Sequence, residues 1–305
     1  MKEINIKGLV PPMVTPLLDN DTLDVEGSKR LTEHMIAGGV DALFLLGTTG
    51  ESQSLSYRLK YEFVELVTKQ VAGRVPVLVC ITDTSFDESI RLAEFAKRCG
   101  AVAVVAAAPY YFPATQKELV EYYTALADAS PLPLFLYNMP SKVKVFLNVP
   151  TVLELSKHPN IAGLKDSSGN AGYFASLTFH FKDNPGFSLF MGPEEVTASA
   201  ILMGADGGVN GGANLFPETF SAMCKAAAAS DLEKVRELQD RIMFLSTTLY
   251  GLCDSDASFM KAIKCSLELK GICSGALAWP YQRCSETEKG KIIEALKVLD
   301  ARNYR

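Results

Sequence analysis

The sequence predicts an α/β protein: a (β/α)₈ TIM barrel followed by a helical appendix. Three observations carry that prediction. Eight short, β-branched-rich apolar runs recur along the chain, helical patterns fill most intervals between them, and the runs are apolar at successive positions instead of alternating. Continuous apolar strands are the signature of parallel strands covered on both faces, and eight strand–helix units close most simply into a barrel. A doubly wound open sheet is the competing arrangement. It would place a Gly-x-Gly-x-x-Gly turn after the first strand, where the chain reads Val14-Thr15-Pro16-Leu17.

The predicted strands are 8–16, 40–47, 75–82, 101–109, 133–139, 161–167, 187–192 and 206–213. The helical patterns between and after them are 28–37, 56–72, 86–99, 116–127, 149–157, 171–181, 194–203 and 217–229. Ser85-Phe-Asp-Glu88 and Thr115-Gln-Lys-Glu118 have the spacing of capping boxes, in which hydroxyl and carboxylate each satisfy an orphan backbone N–H. Gly38-Gly39, Gly73 and Gly100 are placed to end helices in the left-handed conformation. From Ser230 the alternation stops and three helical patterns follow, at 232–251, 257–270 and 286–299. The predicted division is therefore a barrel carrying the active site at 1–229 and a helical appendix packed on it at 230–305.

Composition narrows the function classes. The 305 residues are 48% hydrophobic with a net charge of −5, and no basic stripe suits a phosphate backbone, so nucleic acid is not an expected partner. The first thirteen residues lack the basic, apolar and small-residue succession of a signal peptide. The longest apolar run, 101–109, is far shorter than the roughly 20 residues of a membrane span, so no membrane partner is expected. Seven cysteines without a Cys-x-x-Cys pair read as reduced core thiols in a cytoplasmic protein. His34, His158 and His180 have no second ligand at helical spacing, so no metal site is expected.

In such barrels chemistry projects from the C-terminal strand ends. Those ends hold Thr48, Thr49, Tyr110, Tyr111, Tyr137, Lys165, Val209 and Asn210. Lys165 follows Ile161-Ala-Gly-Leu164 in a strand with almost no other polar group, and burial favours a neutral amine that can attack a carbonyl. A lysine whose stem lines the mouth while its charge reaches water satisfies the same pattern. Tyr137 ends the preceding strand, either to transfer protons at Lys165 or simply to pack the barrel top. Gly47-Thr-Thr-Gly-Glu51 offers hydroxyls and successive N–H groups as an anion nest, or is a tight turn only. The glycine-rich stretch 204–214 lacks a nucleotide-loop ending, and close backbone approach at the eighth strand accounts for it.

Gly47-Thr-Thr-Gly-Glu-Ser52, Pro109-Tyr-Tyr111, Tyr137-Asn-Met-Pro140 and Gly163-Leu-Lys-Asp-Ser-Ser168, in that order and spacing, resemble the dihydrodipicolinate synthase / N-acetylneuraminate lyase family of class I aldolases. The resemblance covers essentially the whole chain. It implies that Lys165 forms an imine with pyruvate, that Thr48 and Thr49 hold the pyruvate carboxylate, that Tyr137 relays protons and that the Val209 carbonyl lies beside the keto acid. It also implies that Tyr111 completes a relay with Thr48 and Tyr137 from a neighbouring subunit, making the protein a homo-oligomer, a dimer or a dimer-of-dimers tetramer. Synthases of the lysine pathway usually carry an arginine where this chain has Lys142, which supplies charge to an aldehyde's carboxylate without the bidentate fork. Lys142 is equally well read as a solvated loop residue.

The expected activity is a pyruvate-dependent carbon–carbon lyase or synthase needing no metal or organic cofactor, since the protonated imine is itself the electron sink. The aldehyde partner is aspartate semialdehyde, or the chain is a 2-keto-3-deoxy sugar acid aldolase or dehydratase or an N-acetylneuraminate lyase-like enzyme. Two other classes are a catalytically inactive keto-acid-binding protein and a phosphate-binding barrel isomerase with Glu51 as base and the 207–212 loop at the phosphate.

Overall fold

The computed structural model describes residue 4 and residues 6–301. The outermost residues of both predicted segments, 1–3, 5 and 302–305, lie outside the described residues, as does part of the N-terminal stretch read for a signal peptide.

Among the described residues eight strands alternate with helices. They run β1 (Gly8–Leu9), α1 (Val25–Ala37), β2 (Leu43–Leu45), α2 (Tyr57–Val71), β3 (Val77–Cys80), α3 (Phe86–Cys99), β4 (Ala103–Ala107), α4 (Gln116–Ala129) and β5 (Leu134–Asn138). After β5 come α5 (Pro140–Val143), α6 (Val149–Leu155), β6 (Ile161–Asp166), α7 (Ala171–Phe181), β7 (Ser188–Met191), α8 (Thr197–Leu202), β8 (Gly207–Gly208) and α9 (Pro217–Ala228). Every strand pairing is parallel, in the order β1-β8-β7-β6-β5-β4-β3-β2. The ring closes where Pro12 bridges Phe44: the Met13 N–H donates to the Phe44 carbonyl at 2.9 Å, and the Phe44 N–H to Pro11 at 3.1 Å. Pro11 and Pro12 have no N–H to give, which is why β1 stops after two residues although the chain runs on beside β2.

The barrel interior is packed. Phe44, Leu78, Val105, Phe135 and Phe190 leave a void of only about 20 Å³ beneath Lys165, as expected of a filled barrel. The close approach expected at the eighth strand is at Gly207, where an added Cβ would stand 1.9 Å from the Gly8 carbonyl oxygen. Asn214 pins the seam: it accepts from the Val14 N–H and donates to the Pro12 and Gly211 carbonyls.

Local departures from the sequence reading have simple causes. Helix α1 begins at Val25, ahead of the expected Ser28, because Asp24 caps it by accepting from Gly27. Thr115 and Glu118 form a full capping box, whereas Glu88 turns to Arg91 and leaves only the Ser85 half of the other. Of the pair Gly38-Gly39 it is Gly39 that is left-handed, Gly100 ends α3 in that conformation as expected, and after α2 Ala72 takes the left-handed cap ahead of a left-handed Gly73. The 194–203 pattern splits into a 3₁₀ turn, Glu194–Val196, and α8, and residues 211–214 form a second such turn instead of extending β8. Lys142, read from the sequence also as a loop residue, lies instead in the short helix α5.

Beyond α9 follow α10 (Leu232–Leu249), α11 (Ser258–Leu269) and α12 (Glu286–Ala301). Their apolar faces, through Val235, Ile242, Leu267 and Leu299, belong to the same buried cluster as the barrel. None of the described helices is long and apolar enough to cross a membrane.

Candidate active site

Adjacent parallel strands in register place Tyr137 of β5 directly beside Lys165 of β6. The lysine Nζ stands 4.1 Å from the centre of the Tyr137 ring and 5.1 Å from that of Phe44, with the residue only 7% exposed. Aromatic faces attract the ammonium form without binding its donors in a fixed direction, so the amine stays free to reach a ligand. The Tyr137 ring packs edge-on against Phe44, and its hydroxyl lies 3.3 Å from Thr48 Oγ1. Lysine, phenol and hydroxyl therefore form one contiguous group at the C-terminal end of the barrel.

This group floors a cavity of about 340 Å³, lined by Thr48, Thr49, Tyr137, Lys142, Lys165 and Val209 among others. A neighbouring cavity of about 240 Å³ shares Thr48, Tyr137, Met139, Lys142, Asp256 and Met260 with it, and the two make one mouth of ordinary small-ligand size. Six of the seven predicted site residues thus converge. Tyr111 does not: it is 85% exposed, at φ 86°, stacked edge-on with the equally outward Phe112, while Tyr110 lines the mouth instead. Helix α5 carries Lys142 to the rim, whereas Lys144 turns back to the Ser141 carbonyl at 3.1 Å.

The turn after β2 uses two of its own N–H groups. Gly50 donates to Gly47 and Glu51 to Thr48, so the nest can offer at most the threonine groups to an anion. The Glu51 side chain is buried against Lys264 of α11 and accepts from the Ala278 N–H. A carboxylate already paired with an ammonium is not a free base, and the Gly212 N–H is spent on Glu194. The isomerase reading loses both its base and its phosphate loop.

The end of β6 is fixed by Asp166, which accepts from Asn138 at 2.8 Å and from the Ser168 N–H and hydroxyl. Burial raises its carboxyl above the usual range, and these donors offset part of the rise. Asn138 in turn accepts from the Leu147 N–H, so β5, β6 and the chain after α5 share one network.

Sequence reasoning missed the outer wall. Glu194 lies buried on the cavity, held by the Tyr250 hydroxyl and the Gly212 N–H. Burial pushes its carboxyl up to about 7 against the lowering effect of those two donors. Tyr250, Ala257, Phe259 and Met260 come from the C-terminal helical region, so the cavity wall draws on residues beyond 229. Glu194 follows Gly192 and Pro193 at a strand end and was accessible to the same rule that found Lys165; the wall residues carry no comparable pattern.

The dihydrodipicolinate synthetase family model matches residues 5–299. A 4-hydroxy-tetrahydrodipicolinate synthase of Azoarcus sp. strain BH72 is 32% identical over 292 residues, covering 96% of this chain and 98% of that protein. A dihydrodipicolinate synthase from the commensal bacterium Bacteroides thetaiotaomicron superposes with a TM-score of 0.95 at 52% identity, over 98% of this chain and 100% of that one. The Acinetobacter baumannii dihydrodipicolinate synthase complexed with pyruvate gives 0.88 at 30% identity, over 96% and 98%. Fold and comparisons define a barrel enzyme of the lyase class, a class I aldolase. The chain belongs to the dihydrodipicolinate synthetase family.

Proposed function

We propose that the protein condenses pyruvate with an aldehyde, or cleaves the corresponding product, through a Schiff base on Lys165, as a dihydrodipicolinate synthase does. The observation that carries this reading is the grouping of Lys165, Tyr137 and Thr48 on one cavity floor. Pyruvate is favoured because a family relative has been solved in complex with it. The Lys165 amine attacks the pyruvate C2 carbonyl; the carbinolamine hydroxyl takes a proton and leaves as water, and the iminium forms. Loss of a C3 proton gives the enamine, whose carbon attacks the aldehyde, and water then releases the product and the amine. Tyr137, bonded to Thr48, carries protons to and from the carbinolamine oxygen. Thr48 and Thr49 hold the carboxylate, and the Val209 carbonyl borders the keto acid. Neither a metal nor an organic cofactor takes part in these steps.

Lys142 at the rim supports an aldehyde bearing a carboxylate, such as aspartate semialdehyde, over the neutral aldehyde halves of deoxy sugar acids or sialic acid. Exposed Tyr111 supports a homodimer or a pair of dimers in which it enters a neighbour's mouth. A cytoplasmic setting fits seven free thiols. The test is mass spectrometry after incubation with pyruvate and borohydride, with a Lys165→Ala control. An adduct mapped to Lys165 and absent from the control is expected; a folded protein that forms none has no pyruvate imine. Turnover with aspartate semialdehyde against 2-keto-3-deoxy sugar acids then identifies the partner, and adduct formation without turnover of any of them identifies a binding protein.

A further inference from the structure

The seven cysteines are not dispersed evenly. Three of them gather in the C-terminal helical region: Cys253 between α10 and α11, Cys265 within α11, and Cys284 just before α12. The sulfurs of Cys253 and Cys284 are 3.5 Å apart, and the Cys284 thiol also donates to the Lys261 carbonyl at 3.6 Å. Cys284 is half-buried, unlike its two neighbours, and with Cys265 it opens onto a separate cavity of about 110 Å³ whose wall includes Arg283 and Lys289. A small oxidant thus has a path to one thiol of a contacting pair.

We propose that Cys253 and Cys284 are a redox-active pair that closes to an intramolecular disulfide on exposure to a small peroxide. A disulfide needs the sulfurs at about 2.05 Å, so the pair must close by about 1.5 Å. Both residues lie in irregular segments that can supply that movement, whereas Cys265 is fixed in the middle of a helix. The chemistry balances without any further reactant. The Cys284 sulfur takes one oxygen from hydrogen peroxide, giving the sulfenic acid and one water. The Cys253 sulfur then displaces that hydroxyl, which leaves as a second water with the Cys253 proton. Two thiols lose two electrons and two protons, and one peroxide becomes two waters.

A metal is the other occupant such a cluster invites, with Glu288 as third ligand. Its carboxylate is already filled. Glu288 accepts from the Lys261 ammonium at 3.0 and 3.1 Å, from the Asp254 and Ser285 N–H groups, and from the Ser285 hydroxyl. A cation there would displace these donors and face Lys261, which favours the disulfide.

The bond would matter to the mouth. Cys253 leads within a few residues to Asp256, Ala257 and Met260, and Tyr281 shortly precedes Cys284; all four line the cavities described above. The cross-link joins two segments of that wall.

The test is intact mass and peptide mapping of the full-length protein after treatment with hydrogen peroxide, with and without later dithiothreitol. The expected result is a reversible loss of about 2 Da per chain, two hydrogens, mapped to a Cys253–Cys284 peptide and absent from both Cys253→Ser and Cys284→Ser. Cys99→Ser should retain it. Linkage of Cys265 to Cys284, cross-links only between chains, or no mass loss from folded protein each overturns the proposal. So does stoichiometric Zn²⁺ binding that shields the thiols while no disulfide forms.

Discussion

Tyr137 contributes two separable things to the site, a ring that packs and a hydroxyl that bonds. Tyr137→Phe keeps the ring against Phe44 and removes the partner of Thr48 Oγ1. It should leave circular dichroism and melting nearly unchanged while kcat falls roughly 10²–10⁴-fold, the range of a lost general acid–base group. An unaltered kcat would remove Tyr137 from the proton path. Lys142→Ala should behave differently: KM for a carboxylate-bearing aldehyde rises, while borohydride trapping of pyruvate at Lys165 persists. Glu194 gives the pH-dependent case. Its carboxyl ordinarily titrates near 4.5 and is pushed up to about 7 in the fold. An acid raised in this way binds extra protons in the folded state between those values. Its contribution to stability is therefore complete below about 4.5 and is lost as pH climbs to about 7. Glu194→Gln removes the titration, so its melting temperature relative to the parent should improve between pH 5 and pH 8. A constant offset at both pH values would show that Glu194 titrates normally.

At the scale of elements, α11 is coupled to the barrel by an ion pair that reaches the turn after β2. Lys264 and Glu51 both have fully buried side chains. Removing one partner leaves a buried charge uncompensated, so Lys264→Met should destabilise the fold by about 3–5 kcal/mol, read from urea unfolding. The double variant with Glu51→Gln should recover a measurable part of that loss; equal damage in single and double variants would argue that the pair itself is immaterial. Ending the chain after residue 229 removes Lys264 altogether, and the remaining barrel should fail to fold alone. The strands, helices α3 and α7, and the grouping of Lys165 with Tyr137 and Thr48 were legible because each depends on local apolar period or on strand ends. Glu51–Lys264 spans 213 positions, and no periodicity records such a distance. Helix α5 has four residues, too few for a 3.6-residue pattern to declare itself. The splitting of 194–203 was hidden for another reason: Glu194 is drawn inward to Tyr250 and Gly212, and tertiary bonding overrode a helix-compatible sequence.

The whole molecule raises the matter of Tyr111. Everything else assigned to the reaction faces one cavity of one chain, while Tyr111 and Phe112 present two large aromatic side chains at 85% and 79% exposure. Tyr111 also holds a positive φ, an uncommon backbone state for a bulky residue. Water is a poor environment for such a pair, and a second copy of the chain is the partner the proposed mechanism requires. If Tyr111 acts in a neighbour's mouth, Tyr111→Phe and Lys165→Ala damage different halves of each composite site. Either variant alone should be nearly inactive. Unfolding and refolding them together in equal amounts gives hybrids in which the chain retaining Lys165 receives an intact Tyr111 from the chain that lost the lysine. Random pairing makes half of the dimers hybrid with one whole site in two, so activity should return to about a quarter of the parent value. No recovery in a mixture shown to contain hybrids would place Tyr111 outside the reaction, and its exposure would then have to be explained by assembly alone.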